Sequence, residues 1–187
     1  MSILDFSPQR LRAMTALLPG MAMALTACSA PALSSGTGAS NGTAGQNASA
    51  VNVTKSESFP ICPDGSRESG INLIDDAKSW QAFVRSSAQR APGLSEWKPN
   101  FVNSRVILIR LGSKPSAGYT VKVGEAKWIA QVSELVLNVY TTRPTQGSLN
   151  ASVLTSPCLV LNIAQATFKT LKVVDLTEDK SLGQITQ

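Results

Sequence analysis

The sequence predicts a small, mainly β (α+β) domain: an antiparallel β sheet or sandwich with one N-terminal helix packed on it. Three observations carry that expectation. Apolar and polar residues alternate along several short stretches, only one stretch shows helical spacing, and turns rich in Gly and Pro recur at short intervals. A length of 187 residues leaves room for one ordinary domain, because single cores commonly occupy roughly 100 to 200 residues.

The folded part is expected over residues 59–187, beginning near Phe59, and its first strand at 70–74, "GINLI". Asp75 and Asp76 then offer a carboxylate cap for a helix with Ala77, Trp80, Phe83 and Val84 on one side. That helix is expected to run to about Gln89, where Ala91-Pro92-Gly93 ends it. Residues 105–111 are nearly continuous in Val, Ile and Leu, which predicts a central strand covered on both faces.

The stretch "ILIRLGSKPSAGYTVKV" reads as strand, turn and strand. Pro115 fixes its own φ and Gly118 can adopt a positive one, so residues 115–118 suit a defined hairpin loop. Tyr119, Val121 and Val123 alternate, but Ala126 and Trp128 have changed phase, which predicts a β-bulge at Gly124-Glu125. Leu135, Leu137 and Val139 mark the next strand, Arg143-Pro144 and Gln146-Gly147 a long turn, and Leu159, Leu161 and Ile163 a further strand. Residues 170–176 are expected to be the last of five or so antiparallel strands, with 178–187 a frayed tail.

Residues 1–27 read as a leader. Arg10 and Arg12 precede an apolar run that Pro19 and Gly20 break, too short for the roughly 20 residues of a membrane-spanning helix. Leu25-Thr26-Ala27-Cys28 resembles the bacterial lipobox. That resemblance implies diacylglycerol on the Cys28 thiol, a mature chain beginning there, and membrane attachment through lipid. Ser29 after the cysteine implies the outer membrane as destination. Residues 28–58, rich in Ser, Gly, Ala, Thr and Asn, have too little apolar surface to offset the entropy of ordering and are expected to be a flexible tether.

The formal charge of +5 falls to +4 without the leader, which takes two arginines and one aspartate with it. Arg105, Arg110, Lys114, Lys122 and Lys127 are scattered among strand residues, so solvated lysines are expected rather than a basic block. Nucleic acid is not an expected partner outside the cytoplasm. Cys62 and Cys158 remain after lipidation, and an even remainder in an oxidising envelope predicts a disulfide. Two buried thiols are the alternative, disfavoured because Cys62 beside Pro63-Asp64-Gly65 looks exposed and turn-like.

The chain has no histidine, which removes Ser-His-Asp and Cys-His pairs and histidine-based zinc sites. Ser113, Lys114 and Ser116 share one turn, but adjacent side chains there rarely converge and nothing nearby would desolvate the lysine. The carboxylate pairs are explained by capping and solvation. No catalytic residue, metal site or cofactor is therefore expected.

With its motif residues Leu111-Gly112, Lys114-Pro115 and Gly118-Tyr119, followed by "LVLNV", Pro144 and "SPCLVLNIA", the segment from Phe101 to Val174 resembles the PrcB C-terminal domain family. The namesake of that family is a bacterial surface lipoprotein needed to assemble a subtilisin-like protease complex. The resemblance implies a non-catalytic domain that binds another envelope protein, in its most specific form a protease or its precursor. Ala117 replaces a more usual glycine. The loop Lys114, Pro115, Ser116, Ala117, Gly118 and Tyr119 is also similar to a cleft-entering loop of chagasin-like protease inhibitors, which implies inhibition as the competing function. Arg143-Pro144-Thr145 lacks the aromatic residue of the partner loop in those inhibitors.

Overall fold

The computed structural model describes residues 48–147, 149–165 and 167–187. The expected leader, the expected acylation site Cys28 and the rest of residues 28–47 of the expected tether lie outside the described residues. No described helix is long and apolar enough to cross a membrane.

The strands are β1 (Ala48–Val51), β2 (Val53–Phe59), β3 (Ser69–Ile74), β4 (Arg105–Leu111), β5 (Thr120–Ile129), β6 (Glu134–Thr142), β7 (Cys158–Ile163), β8 (Thr170–Asp175) and β9 (Lys180–Thr186). They form a five-stranded sheet of order β1-β5-β6-β8-β9 and a four-stranded sheet of order β2-β7-β4-β3. Ile107, Ile109, Leu159, Leu161 and Ile163 from the smaller sheet pack with Val121, Leu135, Leu137, Val139, Leu171 and Val173 from the larger one. The mainly β expectation holds, and the arrangement is a sandwich.

A second core covers the other face of the smaller sheet. Val106, Leu108 and Val160 pack there with Trp80 of helix α1 (Ala77–Ser87), with Leu94 of the following short 3₁₀ turn (Pro92–Glu96) and with Trp97 just after it. This explains why β4 reads as an unbroken apolar run: alternate residues serve two cores, and Val106, Ile107 and Ile109 are all fully buried. Asp76 caps α1 by accepting from the Lys78 and Ser79 N–H groups at 2.8 and 2.9 Å. The helix ends at Ser87, slightly before the expected Gln89.

The structure corrects four expectations about the strands. Residues 48–51 and 53–58, placed in the tether, are strand: β1 pairs with β5 and β2 with β7, so the chain changes sheet at Asn52. An edge strand is held by main-chain bonds and needs few apolar side chains; Val51, Val53 and Phe59 supply the contacts with the two cores. The expected frayed tail carries β9, which pairs with β8 and sets Leu182 and Ile185 against the core.

The third correction concerns direction. β6 and β8 are parallel, because β7 is spent in the opposite sheet and the chain returns to the larger sheet running the same way. The fourth concerns the expected hairpin. β4 pairs with β3 and β7, while β5 pairs with β1 and β6. Both sides of β4 are occupied, so β5 has no edge to join and residues 112–119 cross from one sheet to the other. The bulge in β5 is present, as a register shift between Val123 and Ala126.

Candidate functional site

The crossover carries all six residues of the loop singled out in the sequence, and its conformation is fixed by a neighbouring segment rather than by a two-strand turn. Lys114 N–H donates to the Thr155 carbonyl at 2.8 Å and Thr155 N–H returns a bond of 3.0 Å. The Thr155 hydroxyl donates to the Ser116 carbonyl at 2.9 Å, and Ala117 N–H to the Ala151 carbonyl at 3.0 Å. Gly112 and Gly118 make the two bends with φ of +74° and +93°. A Cβ on Gly118 would lie 3.0 Å from Asn150 Oδ1 and 3.2 Å from Pro144 Cγ, so the crossover also abuts the turn after β6.

That segment is anchored in turn by the bond between Cys62 and Cys158, whose Cα atoms are 5.3 Å apart. Both cysteines are fully buried. The exposed setting expected for Cys62 is therefore corrected: Cys62 N–H donates to the Ser156 carbonyl at 2.8 Å, which draws the turn inward onto the second core. Leu111 N–H donates to the Pro157 carbonyl at 2.9 Å. The disulfide thus holds the strip of chain against which the crossover is sewn.

Lys114, Pro115 and Tyr119 form one wall of an open cleft of about 530 Å³, and Arg110, Arg143, Glu178 and Lys180 contribute to the rest. Pro115 and Gly118 are exposed, whereas Lys114, Ser116, Ala117 and Tyr119 are half-buried. The Lys114 ammonium lies 5.7 Å from the centroid of the Tyr119 ring, within cation–π range. Arg110 pairs with Asp64 at 2.7 Å. Arg143 and Lys180 both pair with Glu178. The hydrogen bond from Lys180 is the main influence on the Glu178 carboxyl; desolvation opposes it, and with the added pull of Arg143 the carboxyl is held below its ordinary range.

Asp175 lies at the cleft and is fully buried. Desolvation pushes its pKa up, but the Thr141 hydroxyl and the N–H groups of Thr177, Thr141 and Glu178 outweigh it and hold the carboxyl below its ordinary value. The Thr141 hydroxyl is 2.6 Å away and Thr177 N–H 2.9 Å. Among the described residues no group of three His, Cys, Asp or Glu side chains is placed to hold a metal ion.

Of the scattered cations, Arg110 and Lys114 meet at the cleft. Arg105 instead donates to the Phe101 and Ser104 carbonyls, and Lys127 pairs with Glu125. Sequence reasoning missed Asp175, Glu178 and Lys180, which it left in or beside a tail. One signal was present: Asp175 continues the inward phase of Leu171 and Val173, and a carboxylate at an inward position must be hydrogen-bonded.

The fold and the cleft define a mainly β sandwich domain, pinned by a buried disulfide and open at one end through a basic-rimmed cleft. Residues 105–164 match the PrcB C-terminal family model. The matched stretch runs from β4 to just beyond β7 and includes the whole crossover, Arg143 and Cys158. The chain matches no curated protein. It matches no solved structure.

Proposed function

We propose that this chain is a bacterial envelope lipoprotein whose β domain is a non-catalytic, protein-binding subunit associated with an envelope protease. Diacylglycerol on Cys28 is the membrane anchor, and the outer membrane is the destination. The observation that carries the reading is the crossover. Residues within the family match present Lys114, Pro115 and Tyr119 to an open cleft, in a loop whose shape is set by bonds to 151–155.

Crosslinking and affinity capture in the native envelope test the binding role, with a Gly118→Val, Tyr119→Ala double variant as comparison after matching for folding and abundance. Capture of a protease or protease-complex component, lost in the variant, is expected. Capture unchanged by the variant removes the crossover from the binding surface. Cys28→Ser is expected to abolish incorporation of a labelled fatty acid and to release the chain from the membrane fraction.

A second reading, protease inhibition in the manner of chagasin-like proteins, has one observation in its favour: the crossover and the turn at Arg143-Pro144 lie side by side, with Gly118 against Pro144. It requires that the purified chain lower cysteine-protease activity in proportion to its concentration, and that the double variant not do so.

A further inference from the structure

The cleft has an imbalance of charge. Its lining holds the cations Arg110, Lys114, Arg143 and Lys180 against the carboxylates Asp175 and Glu178. Asp64 neutralises Arg110 from outside the lining. Asp175 is already committed to Thr141 and to main-chain donors. Glu178 is shared by two cations, Arg143 and Lys180. Lys114 rests on the Tyr119 ring and has no carboxylate partner among the described residues.

From this we infer that the cleft takes a carboxylate borne by an extended segment of the partner protein, seated between Lys114 and Arg143. The inference rests on the binding role proposed above and names the chemistry that the partner presents. Arg143 is well placed for it: its side chain is 68% exposed even while paired, so its planar guanidinium can turn to a second carboxylate in two-pronged fashion. The Tyr119 ring beside Lys114 provides a flat apolar surface for the neighbouring residue of the segment.

Two further features favour an extended peptide over a free small anion. A volume of about 530 Å³ lies within the range, roughly 300–1,000 Å³, of sites that enclose small ligands, which suits a short run of residues. The cleft also reaches Ser69 at the start of β3 and Ser181 on β9. These are edge strands, each hydrogen-bonded to one neighbour in its sheet, so a segment leaving the cleft meets main chain able to pair with it.

The test uses the full chain purified in detergent and immobilised, with three pools of randomised pentapeptides that otherwise contain no acidic residue. The first pool is amidated with Glu fixed at the centre, the second is amidated with Gln there, and the third carries a free C-terminal carboxylate. Retention of the first or the third pool at least fivefold above the second is expected, and which of the two is retained distinguishes a side-chain carboxylate from a chain terminus. The excess should vanish in the Lys114→Gln, Arg143→Gln variant, return in part with Arg143→Lys, and persist in Lys122→Gln, a change of an exposed lysine outside the cleft.

Equal retention of all three pools overturns the inference, as does an equal loss in Lys122→Gln. So does retention of phosphatidylglycerol vesicles that depends on Lys114 and Arg143 without any preference among the peptide pools. If capture from the envelope persists in the Lys114→Gln, Arg143→Gln variant while the pools show no preference, the binding role stands and the acidic specificity falls. If the pools are discriminated but the envelope yields no partner, the cleft chemistry stands and the binding role falls.

Discussion

The Thr141 hydroxyl donates a 2.6 Å hydrogen bond to the Asp175 carboxylate, joining the last inward residue of β6 to that of β8 beneath the cleft. Because the folded state depresses the Asp175 pKa below its ordinary 3.8, the sign of the linkage is fixed. The stabilisation is fully present above the unfolded value and is lost as pH falls through the lower folded value. Unfolding free energies measured from pH 7 to pH 2 should therefore drop more steeply below about pH 4 in the native chain than in Asp175→Asn. Thr141→Val should cost about 1.5–3 kcal/mol at pH 7, as expected for a hydrogen bond to a charged group.

Reduction of the Cys62–Cys158 bond, or Cys62→Ala with Cys158→Ala, should lower stability by about 4–5 kcal/mol in the chain-entropy limit for so long a loop, since the two cysteines are separated by 96 positions. Denaturant unfolding of oxidised and reduced protein gives the difference. Hydrogen exchange should show the amides of Lys114 and Thr155 losing protection first, because the disulfide anchors the strip to which the crossover is bonded.

Gly118→Val alone should destabilise the domain by about 1–3 kcal/mol, through a strained backbone and the close approach of Asn150 and Pro144. Tyr119→Ala should cost less, since the ring is half-buried and outside both main clusters. Thermal melts of the two single variants separate loop geometry from the chemistry of the ring.

Deleting residues 180–187 tests the role of β9. A frayed tail could be removed without consequence, but here the deletion strips the outer partner from β8 and uncovers Leu171 and Val173. A clear loss of thermal stability and binding of a hydrophobic dye are expected, whereas an unchanged melting temperature would contradict the pairing of β8 with β9.

Some of this was legible in the chain itself. The cap at Asp76, the doubly covered β4, the phase change in β5 and the inward set Leu135, Leu137 and Val139 are local: each is written in the spacing of neighbouring side chains. Edge strands were less legible. β1, β2 and β9 are held by main-chain bonds that any sequence can make, and their few inward apolar residues are too sparse to stand out.

The sequence by itself determined that Lys114, Pro115, Gly118 and Tyr119 form a constrained loop, because proline and glycine restrict the backbone whatever surrounds them. With Cys28 read as the lipid-bearing cysteine, it also left Cys62 and Cys158 as the two expected to pair. Only the tertiary structure decided that this loop joins two sheets, that Thr155 and the disulfide hold it, and that Arg143, Glu178 and Lys180 stand opposite. Those partners lie about 25 to 65 positions away in the chain, and what brings them together is the packing of one sheet on the other, a long-range arrangement that local spacing does not encode.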